Sequence, residues 1–280
     1  MAPIARDVAQ AIEIEGAPVG RPGRERGLSP GEVAVRMEDE AGIVTASESG
    51  YLQYVRCSTL VRMAADTNAV IRLLHRPGHF LVAGRAIAQV WPPEAAPTVA
   101  RSLRRAHISG PFRSLTQDIS FGIDQLVEIA IRALSPAVND TFTALTCVDW
   151  IGACLRDIAL GWQPDRIHRD RDGYVRLITM QPSYDRLVQR AFEKIRQAST
   201  GMPAVMIRQL DALTEIMQQA PSAEQLSVLM EQGEMIRRLA TETVSEPADL
   251  ADVLRRHEIL TKLHDARLER VSVEGGAGRS

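Results

Sequence analysis

The sequence predicts an α+β fold: a small β domain of barrel or sandwich type, followed by a mainly α-helical domain. Three observations carry this. Between Gly42 and Trp91, short apolar runs alternate with Gly and Pro turn signals. From Phe112 onward, apolar residues recur at spacings of three and four, the mark of buried helical stripes. The prolines from Pro92 to Pro97 separate the two regimes.

Residues 1–40 read as a linker or a remnant helix. "IARDVAQAIEIEG" has the pattern of a short amphipathic helix, while "APVGRPGRERGLSPGE" is rich in Gly, Pro and Arg and reads as linker. The β domain is expected over residues 41–92. Its strands start at Ile43-Val44, follow a Ser-Gly turn signal with Tyr51 to Val55, and continue after one or two helical turns in "STLVRMAADT". "AVIRLL" is the next strand, Pro77-Gly78 a turn, and Phe80 to Ala83 a further strand before Gly84 breaks the chain again. "RSLRRAH" follows the prolines. It reads as a solvated helix face rather than a phosphate-binding patch.

The helical domain is expected over residues 98–272. Leu126, Ile129, Ala130, Ala133 and Leu134 line the inner face of a first helix. Leu145, Val148, Ile151, Gly152 and Leu155 line the inner face of a second, from about Thr141 to Leu160. One β-hairpin near 166–180 interrupts the helices, with Ile167 and the run Tyr174 to Ile178 pairing around Asp170-Arg171-Asp172-Gly173. That turn lacks the further ligands and the bidentate Glu of a calcium loop. The last hundred residues read as successive helices. Leu187, Val188, Ala191, Phe192 and Ile195 share one face, Pro203 stands at a first helical position, and Ser222 with Gln225 forms a capping box.

Composition limits the function classes. The 280 residues carry 33 basic and 35 acidic side chains, so no general affinity for nucleic acid or anionic lipid is expected. Aromatic residues make up 4%, too few for a base-stacking platform. Cys57, Cys147 and Cys154 fit a reducing compartment better than a disulfide framework. Cys147 and Cys154 lie seven residues apart on one helical face, roughly 10 Å by the helical rise, and read as core residues. No apolar run approaches the roughly 20 residues that cross a bilayer. The chain as it stands therefore reads as cytoplasmic, with no transmembrane segment and no signal peptide.

No metal site and no cofactor are expected. His75 and His79 straddle a Pro-Gly turn, and two ligands do not make a zinc site. No phosphate-binding Gly loop, nucleophile elbow or Cys-x-x-Cys occurs, and no catalytic residue is assigned.

The polar knot "SPAVND" between two apolar helices is the candidate site. In one reading it is a helix stop and a helix cap. Pro136 ends the first helix, Asn139 or Asp140 accepts N–H bonds at the start of the second, and Arg132 pairs with Asp140 or caps carbonyls. In the other, Asp118, Arg132, Ser135, Asn139, Asp140 and Asp149 bind a small polar ligand, an ion or a partner loop, and the competing function is an enzyme or a metal- or ligand-binding protein with its site at this turn.

The segment "QDISFGIDQLVEIAIRALSPAVNDTFTALTCVDWI" resembles the signature region of the bacterial predicted membrane proteins of domain of unknown function 2254. The matching positions are Gln117, Asp118, Phe121, Gly122, Arg132, Ala133, Leu134, Ser135, Pro136, Asn139, Asp140, Thr143, Ala144 and Asp149. Upstream, "SGYLQYV" and "RPGHFLVAGRAIAQVWP" resemble two further family segments, so the likeness covers roughly residues 40–270. Thr141 stands where the family usually has Pro. The family usually carries transmembrane helices before this region, which implies membrane association and a regulatory, sensing or assembly role. A homo-oligomer or a membrane-protein partner is expected with it. The β region also resembles biotinyl and lipoyl modules in its turns, but it holds no Lys between Ile43 and Trp91, so the likeness concerns fold alone.

Overall fold

The computed structural model describes the chain except residues 17–25, 162–164 and 278–280, which include part of the expected linker. It is an α+β protein that divides into two compact units. Unit one comprises Met1–Ile12, Gly122–Trp162 and Ser183–Ser280, and unit two comprises Glu13–Phe121 and Gln163–Pro182.

Unit two holds two sheets. Strands β1 (Gly42–Thr45), β3 (Val70–Leu73) and β5 (Ala86–Trp91) join β7 (Asp165–Arg169) and β8 (Val175–Met180) in the order β1-β5-β3-β8-β7. The second sheet has the order β4-β2-β6, from β2 (Gly50–Val55), β4 (Phe80–Leu81) and β6 (His107–Gly110). The barrel does not close. The hairpin β7–β8, expected among the helices, instead extends the larger sheet: β8 pairs in parallel with β3, setting Ile71 opposite Leu177 and Arg72 opposite Ile178. Parallel strands need a long crossover, and residues 74–174 supply it.

Two helices fill this unit's core. In α3 (Cys57–Asp66), Leu60, Val61 and Ala64 are buried at helical spacing, and in α4 (Ala96–Ala106), Val99, Leu103 and Ala106 are. They pack with Val44, Leu52, Ile71, Ala88, Val90 and Leu177. The proline stretch is therefore no linker. A short 3-10 turn, Pro93–Ala95, leads straight into α4, whose Arg101, Arg104 and Arg105 are exposed. Residues 30–40 are not linker either. Ser29 and Glu32 close a reciprocal capping box on α2 (Pro30–Glu40), which buries Val33 and Met37.

Unit one is helical: α1 (Ala2–Gly16) contributes its first eleven residues, followed by α5 (Ile119–Ala133), α6 (Thr141–Gly161), α7 (Tyr184–Ala198), α8 (Pro203–Gln219), α9 (Ala223–Thr243) and α10 (Pro247–Ala277). Most predicted stripe positions are buried, while Ile129 and Leu145 are half-buried. Leu126, Ala130, Ala133 and Leu134 are buried in the α5 region, and Val148, Ile151 and Leu155 in α6. All five predicted α7 positions are buried as well. Gly152 lets α6 approach α8, since a Cβ there would stand 3.2 Å from the Ala212 Cβ. Ser222 caps α9 by accepting from the Gln225 N–H. The Gln225 side chain does not complete the expected box and donates to the Ala159 carbonyl. No helix among the described residues is long and apolar enough to cross a membrane.

Candidate functional site

The segment Arg113–Phe121 leaves β6 and starts α5, and three of its polar side chains, Gln117, Asp118 and Ser120, are buried because each finds a partner. Gln117 extends the pairing of β2: its Oε1 accepts from the Val55 N–H at 2.8 Å, and its Nε2 donates to the Val55 carbonyl at 3.3 Å. Asp118, 1% exposed, is the first-turn cap of α5. Its Oδ1 accepts from the Phe121 N–H at 3.1 Å, and its Oδ2 accepts from Arg113 Nε at 2.8 Å and pairs with Nη2 at 2.7 Å. Burial pushes the Asp118 carboxyl up, against the opposing pull of Arg113, the Phe121 N–H and Arg76. The Arg113 guanidinium lies 4.8 Å from the centre of the Phe121 ring.

The turn Pro77-Gly78 packs over this carboxylate. It is tied to β2 by the Gly78 N–H donating to the Leu52 carbonyl (2.8 Å) and the Leu52 N–H donating to the His79 carbonyl (2.9 Å). His75 and His79 stand edge to face with ring centres 5.7 Å apart, and His75 Nε2 lies 3.2 Å from the Ala86 carbonyl. Burial lowers the His79 pKa to about 4, helped by Arg76, His75 and Arg113.

Beside this polar assembly opens a cleft of about 300 Å³. Five separate stretches line it: Tyr54–Ser58, Leu73 with His75–Pro77, Gln117 with Ile119, His168, and Thr179–Pro182. Its polar groups include Arg56, Ser58, His75, Arg76, His168 and Thr179, and no Asp or Glu among the described residues lines it. His168 is buried, with Nε2 3.1 Å from Thr179 Oγ1 across the hairpin. Arg56 precedes α3 and makes no side-chain cap hydrogen bond. Apolar side chains of Val55, Leu73 and Ile119 complete the walls. A site with this mixture can hold a small molecule by one polar end and one apolar body.

The six residues expected as a ligand site are divided between the two units. Asp118 belongs to unit two, and Arg132, Ser135, Asn139, Asp140 and Asp149 belong to unit one. The knot is a helix stop and a helix cap. The Ser135 hydroxyl donates to the Arg132 carbonyl at 2.7 Å, and the Asn139 N–H to the Ser135 carbonyl at 2.9 Å. Asn139 takes the left-handed conformation at φ +49°, and the Asp140 N–H donates to the Ala133 carbonyl at 2.8 Å. Asp140 then caps α6. Its carboxylate accepts from the Thr143 N–H and hydroxyl, and these bonds hold its pKa below the usual carboxylate range.

Arg132 pairs with Glu128 one turn back rather than with Asp140, because both side chains project along the same exposed face. Asp149 pairs with Arg208 of α8 at 3.0 Å. It lines a second crevice, of about 580 Å³, with Asp211 and Arg256. Arg256 and Asp211 are 3.5 Å apart, so both cations of that crevice already face carboxylates. The cleft of unit two is smaller but gathers five separate stretches of the chain, and it is the stronger candidate.

The cleft is the feature that sequence reasoning missed. Gln117 was visible as a motif position and His75 as half of a histidine pair. Arg76 heads the Arg-Pro-Gly segment, but nothing local marks Arg56, and His168 and Thr179 join them only because β8 pairs with β3. A turn of the same hairpin shows the same economy. Asp170 accepts from the Asp172 and Tyr174 N–H groups and from Arg176 Nε at 2.6 Å. Burial raises the Asp170 carboxyl, but Arg176 and the two N–H groups hold it below its ordinary value.

Comparison with known proteins places these features in a family. The model of the family described as "Predicted membrane protein (DUF2254)" matches residues 1–215. An uncharacterized protein of Mycobacterium bovis and one of Mycobacterium tuberculosis strain H37Rv are each 32% identical over 215 residues, covering 75% of this chain. The match takes in 41% of each relative, so the chain corresponds to about two fifths of their length. No solved structure matches. With the Gln117-Asp118 segment and the Ser135–Asp140 knot both inside the matched region, the chain belongs to this family of predicted membrane proteins.

Proposed function

We propose that the chain is a sensing or regulatory module of its membrane-protein family, and that the cleft of unit two is where it binds a small molecule. The observation that carries this reading is convergence: five stretches far apart in sequence line one cleft of about 300 Å³. That volume suits a ligand of metabolite size. A packed core would have filled it with side chains. The module acts on the cytoplasmic side, which its three free cysteines support.

The Ser135–Asp140 turn is the proposed contact for a second copy or a membrane-protein partner. Val138, within the turn, is 59% exposed, and Phe142, just after it in α6, is 83% exposed. Capping fixes the geometry of the turn, and so Asn139, Asp140 and their neighbours present these two apolar side chains in a set orientation.

Thermal-shift screening of the full chain against metabolites tests the ligand half. Stabilisation by a compound that is lost when Ser58→Trp narrows the cleft supports it. Stabilisation unaffected by Ser58→Trp sends the site elsewhere. Light scattering of the parent and Phe142→Asp tests the contact half, with association lost only in the variant as the supporting result.

A further inference from the structure

We propose that the outer face of the small sheet in unit two, with the arginines around it, docks on an anionic phospholipid surface.

The balance of charge over the whole chain hides a local excess. From Tyr51 to Arg113 there are nine arginines and two acidic residues, Asp66 and Glu94, a net charge of +7 in a chain whose total is −2. An asymmetry of this kind marks a stretch that meets a polyanion or an anionic surface. Arg76 and Arg113 act on the Asp118 carboxylate inside the unit and are set aside. Four others, Arg56, Arg85, Arg104 and Arg105, are exposed and form no ion pair among the described residues.

All four border the sheet β4-β2-β6. The Arg56 N–H, at the end of β2, donates to the Ala106 carbonyl at 2.8 Å, which sets Arg56 beside the last turn of α4 with Arg104 and Arg105. At the other end of β2, Arg85 closes the turn after β4, its N–H donating to the Val82 carbonyl at 3.0 Å. One acid stands near, Glu48, which accepts from the Ser109 hydroxyl at 2.7 Å.

Between these cations the sheet shows apolar side chains to the outside. Leu52, Val55 and Leu81 belong to the core, so strand alternation turns Tyr51 and Phe80 outward, where their rings meet edge to face at 5.1 Å. Phe80 is 51% exposed, and Phe112, just beyond β6, is 76% exposed. Ile108, opposite Tyr54, and Val82 are exposed too. The chain has only five phenylalanines, so two on one surface are not a by-product of an aromatic-rich composition, and they form an apolar patch that calls for a cover.

Arginines around an apolar centre suit a bilayer interface. Guanidinium groups meet the lipid phosphates, while Phe80, Ile108 and Phe112 enter the boundary between headgroups and acyl chains. A nucleic acid would use the arginines but would gain no stacking from Ile108 or Val82.

Cosedimentation of the full chain with vesicles reads the binding. One set is phosphatidylcholine alone, the other equal parts phosphatidylcholine and phosphatidylglycerol. The charge variant is Arg104→Gln with Arg105→Gln, and the apolar variant is Phe112→Ser. Arg238→Gln with Arg270→Gln, on the helices of unit one, is the control with the same change of charge. Every one of these side chains is exposed, and circular dichroism checks that each variant is folded. The parent is expected to bind the mixed vesicles and not phosphatidylcholine alone. The charge variant should bind about thirtyfold more weakly, Phe112→Ser about tenfold more weakly, and the control unchanged. Absence of binding to the mixed vesicles overturns the proposal, as does equal binding to both sets. Equal weakening by the control reduces the effect to net charge and also overturns it. Self-association, or capture of a single-stranded oligoribonucleotide, that the same variants abolish while vesicles stay unbound gives the face to another partner and overturns it as well.

Discussion

Gly78 and the Asp118 carboxylate lie so close that a Cβ on residue 78 would overlap the carboxylate oxygens, and Gly78 holds φ at +91°. The turn that shapes one edge of the cleft and the buried acid that caps α5 are therefore one packing unit. Two separate requirements fall on the same glycine: backbone conformation and space.

Gly78→Ala is expected to destabilise the fold by about 1–3 kcal/mol through strain and displacement of the Asp118 pair. Gly84 offers the control, because it also has positive φ, +80°, but nothing lies within 4 Å of its would-be Cβ. Urea denaturation of the two alanine variants separates the causes. A larger loss at residue 78 is the expected result, and equal losses would mean that the Asp118 contact contributes nothing.

Acid is expected to weaken the fold through His79. Its folded pKa is about 4, below the ordinary 6.5, with burial first and then Arg76, His75 and Arg113 as causes. As pH falls from 6.5, the unfolded chain takes up the proton before the folded one does. Stability is thus present above pH 6.5 and lost progressively towards pH 4. Asp118, raised by burial, acts in the opposite sense, because its proton is held more tightly in the folded state. Denaturation of the parent and His79→Gln between pH 4 and 7 should show a shallower pH dependence in the variant.

The three thiols should react at different rates. Burial pushes Cys147 up to about 11 and Cys154 up to about 12, and both are buried in α6. Cys57 is half-buried and lines the cleft. Mass spectrometry after brief iodoacetamide treatment at neutral pH should find the label on Cys57 first, with the other two modified only on unfolding. Early labelling of Cys154 would contradict the packing of α6.

Loss of the α6 cap should be felt locally. Asp140→Ala removes the acceptor for the Thr143 N–H and hydroxyl, whereas Asp140→Asn keeps an acceptor of the same shape. Hydrogen exchange in the first turn of α6 is expected to quicken markedly in the alanine variant and little in the asparagine variant.

How much of this was legible beforehand varies with the range of the interaction. The cap at Asp140 and the stop at Pro136 are written in six consecutive residues, and the buried stripes of α5, α6 and α7 follow from helical period alone. The capping box of α2 was equally local, yet the surrounding Gly, Pro and Arg hid it. The home of the β7–β8 hairpin was not legible, because its partner strand is the distant β3, with Ile71 opposite Leu177. Parallel pairing across an intervening helical segment leaves no short-range trace. The cleft inherits that limit. His168 and Thr179 reach Arg56 and His75 only through the same pairing, so the residues proposed to hold a ligand share no motif.

Histidine NMR tests the central claim most directly. Of the six histidines, His75 and His168 line the cleft, while His257 and His264 lie on α10 in unit one. Titrating the full chain with a compound that stabilises it in the thermal-shift screen should move the ring signals of His75 and His168 together, in a saturable way, and leave those of His257 and His264 in place. Saturable shifts confined to His257 and His264, or no shift of any ring, would contradict a ligand site in this cleft.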